Sequence, residues 1–440
     1  MLDRSPARSA TTAPSASTPA TDMTDASTTA TATATGATDA TSATADTGAG
    51  GAGGAGGPGG PGGPGGPGSP TALQAARVAA LAAERASAAE NARRLDADVA
   101  RALVEAGFPR HFVPAECGGG AGTFRELTPA VAEIGQECAA TAWCASLMAN
   151  LSRMAAFLPA DGFREVWAGG PDAVVVGSLT PAGQARKVPG GWRVSGQWPY
   201  ISAVDYADWA LVCATIPSEG RPSAKVFAVP RARFTATDTW FTIGMRATGS
   251  NTVTVEDILI PDSRCFDRQD LFTGRATGST APCHSVPLEA VNGLSFAAPV
   301  LGAARGALGA WSAYFTDKVR ALAARPGAPQ PDRTSAHATL ARCAADVDAA
   351  GLLLERAALV GDKGAAAGRL EVTRNLRDCS YAVELLGTAV DRLFRAAGTT
   401  GQSETHPLQR FWRDVNSAAG HIALQFQPAA DAYATEGLGI

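Results

Sequence analysis

The sequence predicts a chain built in three parts: an N-terminal α-helical domain, a small central antiparallel β domain and a C-terminal four-helix bundle. Two changes of period predict it. From Thr71 apolar residues recur at helical spacing, between 171 and 265 they alternate with polar ones, and after Leu288 the helical spacing returns. A stretch rich in Gly, Ser, Thr and Pro, 266–287, reads as the loop joining sheet to bundle.

Residues 1–70 read as a disordered low-complexity tail. TTATATATGATDATSATADT leads into GAGGAGGPGGPGGPGGPGSP, with almost no large apolar side chain to offset the entropy of ordering. No cationic start with an apolar run follows the first Met, so no secretory signal is expected. Within 71–170, ALQAARVAALAAERASAAENARRLDADVARALVEAGF reads as two helices, and FRELTPAVAEIGQECAATAWCASLMANLSRMAAFL as one or two buried ones. Within 171–265, AVVVGSL, GWRVSGQW, ADWALVCATI, AKVFAVP and NTVTVEDILI read as strands separated by turn residues. The bundle, 288–440, includes SFAAPVLGAARGALGAW, HATLARCAADVDAAGLLLERAAL, RLEVTRNLRDCSYAVELLGTAVDRLFRAAG and HPLQRFWRDVNSAAGHIAL.

At 440 residues the chain is long enough for two or three domains with a sizeable core. A net charge of -4 gives no reason to expect nucleic acid or an anionic membrane as partner. The eight cysteines are scattered and include no CxxC. That disfavours a disulfide framework and any metal site, and suits buried thiols in a reducing cytoplasm.

GGWRVSGQWPYISAVDYADWALV resembles the flavin-contacting β segment of the acyl-CoA dehydrogenase fold superfamily, and IGMRATGSNTVTVEDILIPDSR resembles its second β signature. HPLQRFWRD resembles one subgroup, the two-component monooxygenases. The similarity runs from about residue 75 to the end. It implies an acyl-CoA dehydrogenase-like fold and a homotetramer. It also implies reduced flavin (FMNH2 or FADH2) from a separate NAD(P)H:flavin reductase, and O2 as second substrate. In the subgroup a flavin C4a-hydroperoxide hydroxylates or N-oxygenates a small organic molecule, here of the specialised-metabolite or antibiotic-biosynthesis kind. The rivals are an acyl-CoA dehydrogenase-like enzyme and a non-catalytic scaffold. A dehydrogenase needs a carboxylate base, in many members within Y-E-G-T; here the end reads DAYATEGLGI, with Ala434 after Tyr433 and Glu436 displaced.

On a continuous helix Arg410, Asp414, Ser417 and His421 share one arc, and Arg410 and Asp414 are i,i+4 partners. The resemblance turns His421 toward flavin and substrate, where imidazole holds oxygen or takes a proton. It places Ser202, in WPYIS, beside flavin N5 and O4, and Ser178, in VVGSLTPAG, in the pocket. Gly177, Thr180, Thr248, Gly249 and Ser250 are expected flavin contacts, by hydroxyl, backbone or close approach. Arg305 is expected at a flavin phosphate or, equally, on a helix surface, and Arg413 at the flavin region or in a structural ion pair. Where aromatic hydroxylases of the subgroup carry a phenol-deprotonating histidine, AWCASLMANLSRMAAFL offers Asn150, Leu151, Ser152 and Met154. Asn150 and Met154 are thus expected in the substrate pocket. A base there falls to His421 or His284, or the substrate is an amine or indole-like ring that needs none. His284, in APCHSVPLEAVNG, is expected at the pocket mouth or in solvent.

Overall fold

A computed structural model describes residues 70–217, 223–325 and 333–440. The expected tail, apart from its last residue, lies outside them. The N-terminal part holds α1 (Pro70–Ala92), α2 (Ala97–Glu105), α3 (Phe124–Gly135), α4 (Ala139–Ala155) and α5 (Ala160–Val166). Local chemistry sets several of their starts. Asp96 caps α2 by accepting from the Asp98 and Val99 amides. Thr123 and Glu126 form a reciprocal capping box on α3. α4 is buried on every side but Leu147, because neighbours cover it all round.

The sheet contains β1 (Val175–Val188), β2 (Gly191–Ile201), β3 (Trp209–Ile216), β4 (Ser223–Pro230), β5 (Thr235–Thr237), β6 (Asn251–Ile260) and β7 (Cys265–Asp267). Its order is β5-β6-β2-β1-β3-β4-β7. Its pairs are antiparallel except β1 with β3, which run parallel. Trp198 is fully buried and donates from Nε1 to the Cys213 carbonyl at 2.7 Å, tying β2 to β3 across β1.

The stretch expected as a loop carries two short helices, α6 (Arg268–Thr273) and α7 (Pro282–Ser285). Gly274, left-handed at φ 66°, ends α6, and Pro282 opens α7. Their Gly and Pro residues act as helix punctuation, which composition alone does not distinguish from loop. The bundle follows: α8 (Leu288–Ala323), α9 (Thr334–Gly361), α10 (Arg369–Gly401), α11 (Pro407–Ala419) and α12 (Phe426–Leu438). α3 crosses α8 at Gly135 and Gly302, so closely that a Cβ on Gly302 would lie 2.6 Å from the Gly135 Cα. No described helix is long and apolar enough to cross a membrane.

Candidate active site

Ser202 follows the last residue of β2 and Ser250 precedes the first of β6. Ile201 pairs with Asn251 across these antiparallel strands, so register makes the two serines neighbours although 48 residues separate them. Their hydroxyl oxygens are 2.8 Å apart, and Ser250 lies 2.7 Å from the Thr248 hydroxyl. Trp143, in the first turns of α4, donates from Nε1 to Ser202 Oγ at 3.2 Å. Thr248 donates to the Met245 carbonyl at 2.8 Å.

Both ends of this chain have fixed polarity, since an indole N–H only donates and a carbonyl only accepts. The hydroxyl protons therefore run one way: Trp143 to Ser202, Ser202 to Ser250, Ser250 to Thr248, Thr248 to Met245. Ser202 gives its only proton to Ser250 and faces any further partner as an acceptor. Backbone strain collects around it. Tyr200, Ala203 and Met245 adopt left-handed φ values of 66°, 58° and 54°, and none is glycine. Such conformations persist where surrounding structure over-determines them, and they gather at functional sites.

Asp414 of α11 holds the Met245 turn. It is buried and accepts from the Met245 amide at 2.6 Å, and burial raises its carboxyl to about 6. The pairing expected with Arg410 is replaced by this bond, while Arg410 reaches the Glu137 carbonyl at 3.4 Å. Arg413 is spent structurally: it pairs with Glu90, donates to Gln409 Oε1 at 2.8 Å and donates to the Ile243 carbonyl at 2.5 Å. With all three guanidinium nitrogens engaged, it fastens α11 to α1 and to the 243–245 turn and is not free for a flavin phosphate.

His421 does not share an arc with Arg410. α11 ends at Ala419, and His421, extended at φ -67° and ψ 137°, caps the 3-10 turn Ile422–Leu424. Its Nδ1 accepts from the Ala423 amide at 3.2 Å, which places the proton of the neutral ring on Nε2. The imidazole stacks on Phe296 and meets Trp143 edge-on, and this burial lowers its pKa to about 4. Trp143 thus joins His421 to the Ser202 relay.

Residues 294–426 match the family model described as acyl-CoA dehydrogenase, C-terminal domain. The oxygenase subunit HsaA of a flavin-dependent monooxygenase from Rhodococcus jostii (strain RHA1) is 32% identical over 81% of this chain and 94% of its own length. The chain belongs to the oxygenase components of flavin-dependent monooxygenases. The oxygenase component of an FADH2-dependent resorcinol hydroxylase from Rhizobium sp. (strain MTP-10005) is 30% identical over 81% of this chain and 90% of its own. The structure of XiaF from Streptomyces sp., in complex with FADH2 and glycerol, superposes with a TM-score of 0.76 at 28% identity, covering 84% of this chain and 95% of that one. This oxygenase component accordingly uses reduced flavin and O2, and its electrons come through a separate flavin reductase.

The oxygenase component brings together four of the residues expected from sequence: Ser202, Thr248, Ser250 and, through Trp143, His421. Gly249 lies beside them, left-handed at φ 55°. Gly177 and Ser178 lie on β1, where Gly177 packs against Leu211 and Leu151. Thr180 is exposed, and its amide meets Ser178 Oγ at 3.4 Å. Arg305 lies on α8 with Nη2 beside Gly351 of α9. Asn150 is buried on α4, whereas Met154 belongs to the apolar cluster of Leu151, Phe157 and Val175. His284 is neither at a mouth nor in solvent. It is fully buried, with Nε2 donating to the Phe112 carbonyl at 2.7 Å and Nδ1 2.6 Å from Ser279 Oγ, and burial lowers its pKa to about 4. Both nitrogens are occupied, so it serves as a strut and not as a base. Glu436 pairs with Arg369 at 3.7 Å on α12 and provides no buried dehydrogenase base.

Sequence reasoning missed Trp143, Phe296 and Arg153. The tryptophan stood inside the quoted AWCAS motif, and Arg153 was the one charge between Ser152 and Met154. Phe296 gave no signal, since an apolar residue in an apolar helix reads as core.

Proposed function

We propose that this oxygenase component seats reduced flavin against the Ser202–Ser250–Thr248 relay and oxygenates an electron-rich ring or amine held near Trp143, Phe296 and His421. The observation that carries the reading is the one-way relay, which leaves Ser202 Oγ an acceptor. Reduced flavin carries an N–H at N5 and oxidised flavin a bare nitrogen, so an acceptor there suits the reduced form. The donor set fits the group in a second respect: indole and phenyl rings border the hydroxyls, and a flat tricyclic ring is matched by aromatic walls.

Bound reduced flavin supplies the electrons that split O2, one oxygen atom going to substrate and the other to water. The protein's share is positioning and exclusion of water. Trp143 and Phe296 give a dry wall, where polar interactions are stronger than in water. His421, neutral with Nε2–H, donates a hydrogen bond to the oxygen in transfer. Its Nδ1 is committed to Ala423, so it is not a base for a phenol. A substrate that reacts without prior ionisation follows, such as an amine, an indole-like ring or a ring as activated as the resorcinol of the Rhizobium relative.

Exposed apolar side chains on the bundle, including Leu352 and Tyr381, support assembly through its helices into a homotetramer. Eight free cysteines support a cytoplasmic location. The test is anaerobic mixing with FMNH2 or FADH2, then with oxygen, followed by stopped-flow absorbance. A transient species between reduced and oxidised flavin is expected; direct appearance of oxidised flavin, with and without substrate, would reject the reading.

A further inference from the structure

Arg153 is a fully buried arginine. Nη1 donates to the Cys283 carbonyl at 3.0 Å, while Nε and Nη2 have no partner among the described residues. Among the described residues no carboxylate pairs with it. His284 supplies no charge, being neutral and doubly bonded as described above. Burial lowers the guanidinium to about 10, still protonated at neutral pH. A buried cation with an open edge is costly unless a partner meets it.

The open edge has a specific shape. Nε–H and Nη2–H form the side of the guanidinium fork that accepts a carboxylate through two parallel bonds. The chain uses the same edge elsewhere. Arg110 holds both oxygens of Asp172 at 2.5 and 2.6 Å through Nε and Nη2, and Arg356 turns the same two nitrogens on a single oxygen of Asp378, Oδ2, at 3.1 and 2.5 Å.

Arg153 also lies on the line that leads to the candidate active site. Trp143, Ser146, Asn150 and Arg153 fall within roughly 80° on α4, a stripe about 15 Å long. Ser146 meets the Ser295 carbonyl of α8 at 2.6 Å, one residue before Phe296. A void of about 10 Å³ lies along this stripe, lined by Ser146, Asn150, Ser295 and Phe124 among others. Asn150 Oδ1 is buried without a partner, and the Arg153 guanidinium lies 5.8 Å from the Phe124 ring centre. Orphaned polar groups thus mark the stripe between the Ser202–His421 cluster and the cation.

We propose that Arg153 is the specificity-determining residue of this oxygenase component, binding the carboxylate of an elongated substrate whose oxidisable ring reaches Trp143 and His421. The inference rests on the oxygenase reading and names its substrate class: an aromatic or amine-bearing organic acid, with the acid on the order of 10–15 Å from the oxidised atom. The α4–α8 seam holds about one water as it stands, so acid binding widens it.

The test uses the full chain and indole-3-alkanoic acids of increasing chain length, each against its primary amide, with affinity measured by titration calorimetry. The wild type is expected to prefer acid over amide by about tenfold or more at one chain length, as a charge-assisted pair does. Arg153→Met removes the charge and its preference; Arg153→Lys keeps the charge without the fork and retains part of it. Thermal unfolding identifies variants that fail to fold, and the wild-type comparison stands without them. No acid preference at any chain length, or one that survives Arg153→Met, overturns the proposal and leaves the edge to ordered water. The stopped-flow test reads the flavin and not acid recognition, so a protein that passes it without acid preference fails this proposal alone.

Discussion

The imidazole of His421 lies stacked on Phe296, ring centres 3.8 Å apart, with the Trp143 ring edge-on at 5.7 Å. Aromatic walls on two sides make the charged form expensive and keep the ring neutral down to about pH 4. The histidine therefore keeps a neutral ring with Nε2–H above that pH, the form its proposed role requires.

Replacing His421 with Ala is expected to uncouple the enzyme. NADH consumption continues while product per NADH falls about tenfold, the value of one lost hydrogen bond to a charged or polarised oxygen, and peroxide accumulates. In the wild type the coupling ratio stays flat from about pH 5 to 8, the range in which an unperturbed histidine titrates. Unchanged product yield in the variant would remove His421 from the mechanism.

Ser250→Ala tests the polarity of the relay. Ser202 loses the acceptor for its proton and is free to donate, which suits oxidised flavin. The wild type is expected to bind reduced flavin more tightly than oxidised, and the variant to narrow that ratio by about tenfold. Equilibrium titrations with both redox forms check it, and an unchanged ratio refutes the one-way relay.

The acid limb of stability has a defined sign. His421 and His284 have folded pKa values of about 4 against an unfolded value of about 6.5. As pH falls from 6.5 toward 4 the unfolded chain takes up their protons first, so stability is complete above 6.5 and is lost below it. Asp414, raised to about 6, acts oppositely: the folded state takes up its proton first, which adds stability as pH falls through 6. His421→Asn should make the acid-side decline of the urea midpoint shallower, and Asp414→Asn, which keeps an acceptor for Met245, should make it steeper. Parallel profiles for all three proteins would contradict both assignments.

Gly302→Ala probes the crossing that sets α8 against α3. The new Cβ would lie 2.6 Å from the Gly135 Cα, which forces the helices apart at a cost of about 1–3 kcal/mol. A lowered thermal midpoint is expected, and a wild-type midpoint would show that the seam yields.

Much of the architecture was legible in the letters because period is local information. The alternation in GWRVSGQW and NTVTVEDILI becomes β2 and β6, and the apolar spacing after Leu288 becomes α8. Where local signals compete, the reading slips. PLQRFWRDVNSAAGHIAL looks like one helix, yet His421 caps the turn at Ile422 with its own Nδ1 and leaves the helix at Ala419. Likewise 266–287 reads as loop because the residues that start and stop α6 and α7 also make turns.

The sequence by itself determined the order of helices, sheet and bundle and the family the chain resembles, since spacing and motif survive in one dimension. Tertiary structure alone decided the chemistry of the individual groups. Strand register placed Ser202 beside Ser250. Packing of α8 put Phe296 over His421 and made that ring a donor. Burial filled every bond of His284 and left Arg153 with an open edge. Protonation and hydrogen-bond polarity depend on which neighbours exclude water, and those neighbours come from distant parts of the chain.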